Sequence, residues 1–398
     1  MLKVGVTQGD PNGVGPEVII KALAPEGMTE LMTPVIFGNK GVFLAAMQRL
    51  KGENFHFQSV SSAANAKAGK VNLVNVGEGQ VSVTYGQPSA EGGLSAYQAL
   101  EAAVAALKAG DIDVLVTAPI NKSAIQSDEF AFPGHTEYLE ARFAATEVDD
   151  DAPASEEEVV ADEEVEAAAD VAVDATAAGD VAGDAAGDAA DITPKRTSVN
   201  KAQMILFNDD LRVALLTTHL PISEVSSHIS EENLTVALEN FDRTLRRDFA
   251  CDRPRIAVLS LNPHAGDNGL LGSEEVEVMI PTLRKLQERG LLVFGPYAAD
   301  GFFGSGEWRK FDGVLAMYHD QGLAPFKTIA GQSGVNFTSG LDYVRTSPDH
   351  GTAYDIAGEM IADPSSMREA IYKAIDIYAA RERYDEMSAH PLHIKSKS

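Results

Sequence analysis

A single cysteine, Cys251, in 398 residues excludes an internal disulfide and a thiolate metal cluster. No apolar run approaches the ~18 residues that a membrane span requires. The first ten residues, MLKVGVTQGD, lack the apolar core and small-residue cleavage site of a signal peptide and read as a first strand. These absences together predict a cytoplasmic protein with no membrane partner. Basic residues are also scarce, with 32 Lys and Arg against 59 Asp and Glu for a formal net charge of −27. That excludes the basic footprint of a nucleic-acid binder. The excess is uneven. Residues 147–191 hold 17 of the acids and no Lys, Arg or aromatic residue, so the remainder carries −10. This low-complexity stretch has too few apolar side chains to offset chain entropy. It reads as a solvated, largely disordered insertion, with a partner-binding acidic segment or an Ala/Glu helix over 155–169 as alternatives.

What is present is an alternation. Short, continuous apolar runs at Lys3–Thr7, Pro34–Phe37, Val114–Thr117, Arg212–Thr217, Arg255–Leu261 and Gly313–Met317 have the look of strands buried on both faces. Helical patterns lie between them. GGLSAYQALEAAVAALKAG is closed by Gly110, and TLRKLQERG ends on a glycine with Pro281 near its first turn. The alternation predicts an α/β fold with a mainly parallel sheet. Five of the runs end in polar, Gly/Pro-punctuated turns: QGDPNGVGPE, APINK, HLP, NPHAG and YHDQG. Ligands of open α/β sheets bind beyond the carboxyl ends of the strands, where these residues would lie.

His219, His264 and His319 each follow an apolar strand and could converge at one edge of the sheet. Three neutral imidazoles suit a catalytic divalent metal. A hydrogen-bonded structural histidine is the alternative for each, and their spacing matches no metal motif. Asp267 and Asp320 could orient such ligands, or act as turn and capping residues. Lys122, at a strand-to-helix turn, could bind an anion or move a proton, or simply be exposed. His135 and Thr136 lie at a helix start that favours an anion, although an ordinary N-cap by Thr136 accounts for the same residues. Lys327, Asn336 and Arg345, in a Gly/Ser/Thr-rich stretch, could cradle a phosphate or lie in a surface loop. GDPNGVGPE is no P-loop and supports a tight turn only. His56, His228, His390 and His393 have no strand-end context and read as surface residues.

VTQGDPNGVGPE, VTAPINK, FPGHTE, TTHLP, NPHAG, AMYHDQGLAPFK and RTSPDHGTAYDIAG, taken together and in this order, resemble the 4-hydroxythreonine-4-phosphate dehydrogenase family of pyridoxal phosphate biosynthesis. The resemblance spans residues 3–380 except the acidic insertion, which falls where the family has a short connection. KTIAGQSGVNFTSGLDYVR also departs from the family's pattern around the substrate loop. The resemblance implies an isocitrate/isopropylmalate-dehydrogenase-like fold of two lobes with a cleft between them. The expected lobes are 1–140 with 305–398, and 141–304 interrupted by 147–191. It further implies a homodimer with its active site at the subunit interface, NAD or NADP as cofactor, and one divalent metal (Zn, Mg or Co) on His219, His264 and His319. Substrate contacts carried over are His135, Thr136, Lys327, Asn336 and Arg345. His350, Gly351, Thr352 and Asp355 are expected near the nucleotide. Lys122 is the expected base, with Asp300 second. The expected reaction is oxidation and decarboxylation of 4-phosphohydroxy-L-threonine. The alternatives are a paralogue acting on D-erythronate or D-threonate 4-phosphate, a metal hydrolase or phosphate acyltransferase on a similar scaffold, and a non-catalytic binding protein.

Overall fold

All six expected strands form. The computed structural model describes residues 1–77, 79–144 and 202–389, and the acidic segment 147–191 lies outside them. Twelve strands make one sheet: β1 Lys3–Thr7, β2 Thr33–Gly38, β3 Gln58–Val60, β4 Asn72–Asn75, β5 Val114–Thr117, β6 Gln203–Phe207, β7 Arg212–Leu215, β8 Arg255–Leu259, β9 Leu292–Tyr297, β10 Gly313–Ala316, β11 Val335–Ser339 and β12 Val344–Pro348. Their order is β3-β4-β2-β1-β5-β12-β11-β6-β7-β10-β8-β9. Eight of the eleven pairings are parallel, which bears out the α/β class and the mainly parallel sheet. The three antiparallel pairings are β12·β11, β11·β6 and β6·β7.

Those three reversals mean that β1 and β5 run opposite to β7, β10 and β8. The five polar strand ends therefore do not share one edge of the sheet. The ends of β1 and β5 lie on one edge, and those of β7, β8 and β10 on the other. Even so, the two sets stay close together. One row of paired residues crosses the sheet as Val6, Val116, Thr346, Phe337, Ile205, Ala214, Leu315 and Val258. Thr117 and Leu215, the last residues of β5 and β7, each lie one position beyond this row in opposite directions. The two carboxyl ends are thus offset by about two residues, roughly 7 Å along the strands. Loops leaving both edges can fold over the same sheet face. β10, on the first-lobe side of the expected boundary at 304/305, is seated between β7 and β8 of the other half.

The alternation of side chains across a strand sorts the two faces. Most residues of that row are apolar and join a core with Met367, Ala370, Ile371 and Ala374 of the C-terminal helix Ser365–Ser388. Thr346 adapts to this face by donating its hydroxyl to Ala370 O, at 2.7 Å. The other face carries two separate clusters. One gathers Phe37 and Leu115 with helices Ala90–Lys108 and His135–Ala144. The second gathers Leu206, Val213 and Leu215 with helix His319–Ala330. Helix Ala90–Lys108 starts at Ser89, whose hydroxyl caps Gly92 N–H, and stops before Gly110 at φ 71°. Gly93 lets this helix touch the turn that carries Lys122, since a Cβ there would lie 1.8 Å from Ala124 O. Among the described residues no helix is long and apolar enough to cross a membrane.

Candidate functional site

Between the two clusters the sheet face is polar. Thr117, Met204, Asn336, Arg345 and Ser347, all one position off the apolar row, line a recess of about 260 Å³. Arg345, 2% exposed, forms its floor. Its three hydrogen bonds go to neutral hydroxyls: Thr117 Oγ1 at 3.0 Å from Nε and 2.5 Å from Nη2, and Thr338 Oγ1 at 2.9 Å from Nη1. Burial pulls its pKa down to about 9, against the pull of the Glu137 carboxylate. A buried guanidinium bonded only to hydroxyls is costly unless something anionic joins it.

The N-termini of helices His135–Ala144 and His319–Ala330 bring their first residues to this recess from opposite sides. The first of these helices begins at His135, so Thr136 is its second residue and does not cap it. Burial, with Arg345 and Lys122 nearby, holds the His135 pKa well below its usual value, which keeps the ring neutral. Eight buried side-chain polar atoms lack a partner among the described residues, leaving out Glu239 Oε1, which pairs with Arg289. Four of them, His135 Nε2, Glu137 Oε2, Asn336 Oδ1 and His350 Nε2, line this one recess. Such orphans are rare in folded proteins and mark a place where a ligand supplies the missing bonds.

A second constellation stands at the rim. His219 Nδ1 is 2.8 Å from Glu137 Oε1, and its Nε2 is 3.2 Å from Lys122 Nζ. Burial raises the Glu137 carboxyl, but the His219 hydrogen bond and the Lys122 charge outweigh it and hold the group below its ordinary value. His319 Nδ1 is likewise 2.7 Å from Asp320 Oδ1, and the His219 and His319 rings lie 6.3 Å apart. A carboxylate on Nδ1 fixes the tautomer that leaves Nε2 as a lone pair, the arrangement that metal-binding histidines use. His219 and His319 are thus two donors of the kind a divalent cation takes. Lys327 Nζ pairs with Asp349 Oδ1 at 3.0 Å, and burial raises the Asp349 carboxyl although Lys327 opposes it.

Lys122, His135, Thr136, His219, His319, Lys327, Asn336, Arg345, His350 and Gly351 thus share one recess. His264 and Asp300 line a neighbouring one of about 490 Å³ instead. Among the described residues no three His, Cys, Asp or Glu side chains are gathered as a metal cluster. Thr352 contributes its backbone, accepting Val14 N–H at 3.0 Å, and Asp355 is exposed. His264 occupies an unusual backbone. Residues 264–268 have φ of 53°, 52°, 76°, 42° and 56°, a left-handed turn in which only Gly266 lacks a Cβ. Such geometry costs about 1–2 kcal/mol per non-glycine residue.

Residues 30–150 and 159–374 match the family model described as pyridoxal phosphate biosynthetic protein PdxA. The chain belongs to this family. It is 44% identical to the 4-hydroxythreonine-4-phosphate dehydrogenase of Bacteroides thetaiotaomicron over 98% of this chain and 93% of that one. It is 33% identical to the D-threonate 4-phosphate dehydrogenase of Cupriavidus necator, over 95% and 98%. The crystal structure of a 4-hydroxythreonine-4-phosphate dehydrogenase from Burkholderia phymatum superposes with a TM-score of 0.67, at 33% identity, covering 95% of this chain and 98% of that one. As a member of the PdxA family the chain is an enzyme of dehydrogenase type, as the motifs led us to expect. The hydrolase, acyltransferase and non-catalytic readings fall away.

Sequence reasoning passed over Thr117, Thr338 and Asp349, although Thr117 stands in VTAPINK, Asp349 in RTSPDHGTAYDIAG and Thr338 in KTIAGQSGVNFTSGLDYVR. Glu137 stood in the quoted FPGHTE motif, but nothing local linked it to His219, 82 residues away.

Proposed function

We propose that this PdxA-family chain oxidises 4-phosphohydroxy-L-threonine with NAD⁺ or NADP⁺ and decarboxylates the product to 3-amino-2-oxopropyl phosphate. It would act in the cytoplasm, as a homodimer with the active site at the subunit interface. Arg345 carries the substrate reading: a buried guanidinium held by hydroxyls alone, beside four orphaned polar atoms, calls for a small anionic ligand. Arg345, Asn336, His135, Thr136 and Lys327 bind and orient the substrate, whose phosphate takes no part in the bond changes and so supplies binding energy.

His219, His264 and His319 would hold a divalent cation (Zn, Mg or Co), which supplies Lewis acidity at the alcohol oxygen, while nicotinamide near His350, Gly351, Thr352 and Asp355 supplies a hydride acceptor. Lys122 takes the hydroxyl proton as the carbinol hydrogen departs as hydride. The product is a 3-oxo acid. When it loses CO₂, the electron pair of the breaking C–C bond becomes a C=C bond to the former ketone carbon as the carbonyl π pair moves onto its oxygen, and protonated Lys122 would return a proton to the carbon that lost CO₂. Glu137 holds the His219 tautomer throughout. Asp300, in the recess with His264, is the weaker candidate for the base.

The Cupriavidus relative favours a second reading, oxidation of D-threonate 4-phosphate, with its diastereomer D-erythronate 4-phosphate as the variant to test beside it. Nucleotide reduction measured across the three substrates with each nucleotide separates the two. We expect the amino acid to give the highest kcat/KM. Turnover of the sugar acids alone would overturn the assignment.

A further inference from the structure

We infer that Asn262 and Glu275 are positioning residues that hold His264 in its left-handed turn, ready to bind a cation. The inference rests on the proposed role of His264 as a metal ligand. Strand β8 ends at Leu259, and three residues later Asn262 begins the turn. Glu275 is fully buried, and its carboxylate faces Asn262. Oε1 accepts the Asn262 backbone N–H at 2.7 Å, and Oε2 accepts the Asn262 side-chain amide at 3.0 Å. The same amide donates to Glu274 Oε2 at 2.7 Å, so both of its hydrogens are used.

The turn itself is wrapped around these groups. A Cβ on Gly266 would lie 2.7 Å from Glu275 Oε2, and one on Gly272 would lie 2.3 Å from Asn262 Nδ2. Glu275 also opens a π-helical turn, Glu275–Met279, a distortion frequent at functional sites. A buried carboxylate is a costly way to pack a helix against a strand end, because an apolar side chain would pack there without desolvating a charge. Its bonds all go to the residue that starts the His264 turn. Strained backbone persists only where the surroundings over-determine it, and here the restraint comes from Asn262 and Glu275.

The test is titration of the metal-stripped full chain with Zn²⁺ by calorimetry, alongside thermal melting and the imidazole NMR signal of His264. Asn262→Ala, Glu275→Gln and His264→Ala are compared with the parent. We expect Asn262→Ala to weaken Zn²⁺ binding by about 10–100-fold, the usual effect of losing a group that orients a metal ligand. Glu275→Gln keeps one acceptor oxygen and should fall between Asn262→Ala and the parent. The His264 signal should shift in both, before any metal is added. A lower melting point with unchanged Zn²⁺ affinity would show a merely structural brace and overturn the inference. So would normal affinity in Asn262→Ala when His264→Ala has lost it. If His264→Ala itself binds Zn²⁺ like the parent, the ligand reading fails first and the positioning role falls with it. Should Asn262→Ala fail to fold, the affinity and His264 signal of Glu275→Gln decide the matter.

Discussion

The two recesses are built by opposite means. The one floored by Arg345 rests on four central strands, where regular pleating sends Thr117, Arg345, Asn336 and Met204 to one face in ordinary backbone geometry. The one beside His264 is shaped by a left-handed turn that needs a buried carboxylate to hold it. A sheet pre-organises polar side chains as a by-product of its own hydrogen bonding. A loop needs dedicated partners for the same task. Strain in the first site therefore sits in electrostatics, and strain in the second sits in the backbone.

That contrast can be sharpened by substitution. Lys122→Met removes the proposed proton acceptor and should lower kcat about 10³-fold with a much smaller change in substrate KM, read from steady-state kinetics. Arg345→Met should lower kcat/KM by roughly 10²–10³-fold, about 3–4 kcal/mol, mainly through KM. The same change removes a buried cation, so the melting temperature should hold or rise, by on the order of 1 kcal/mol in stability. An Arg345→Met protein that is both less active and markedly less stable would mean the guanidinium is structural. Asp300→Asn, in the neighbouring recess, should cost less than about tenfold in kcat, as expected of a group remote from the proton transfer. A larger loss would shift the base assignment towards Asp300.

The smallest effect concerns acid stability. Burial and the Arg345 and Lys122 charges keep His135 well below its usual pKa of 6.5. Below that pH the unfolded chain gains a proton at this residue that the folded chain refuses. Stability present above about pH 6.5 is therefore lost on acidification, by at most about 1.4 kcal/mol per pH unit from this residue. Chemical denaturation at several pH values should show a shallower slope for His135→Gln. An unchanged slope would place the acid sensitivity elsewhere.

The six strands legible in the sequence are runs of buried apolar residues. Six strands escaped notice, of which β6 and β9, QMILF and LVFGPY, are also apolar while the other four have other compositions. β11 and β12, VNFTS and VRTSP, alternate core residues with the polar floor of the recess. They read as a Gly/Ser/Thr-rich loop because function occupies half of each strand. β3 is an edge strand of the sheet and β4 lies next to it, both of only three or four residues, and β6 follows directly on the stretch outside the described residues. Ten residues of the candidate recess were named from the sequence, two of them, Asn336 and Arg345, without the strands that carry them. Opposed halves of the sheet could not be read from local pattern, because parallel and antiparallel pairing depend on chain reversals far apart in sequence. The left-handed turn was hidden for a similar reason: NPHAG has one glycine, and its restraint comes from Glu275, eleven residues beyond His264.

The most direct measurement of the account is nucleotide reduction with 4-phosphohydroxy-L-threonine, before and after chelation, for the parent and His319→Ala. We expect turnover that disappears with the chelator and returns with added Zn²⁺, Mg²⁺ or Co²⁺, and a correctly folded His319→Ala protein that metal does not revive. Turnover indifferent to chelation, or a His319→Ala protein with parental rate and metal content, would contradict it.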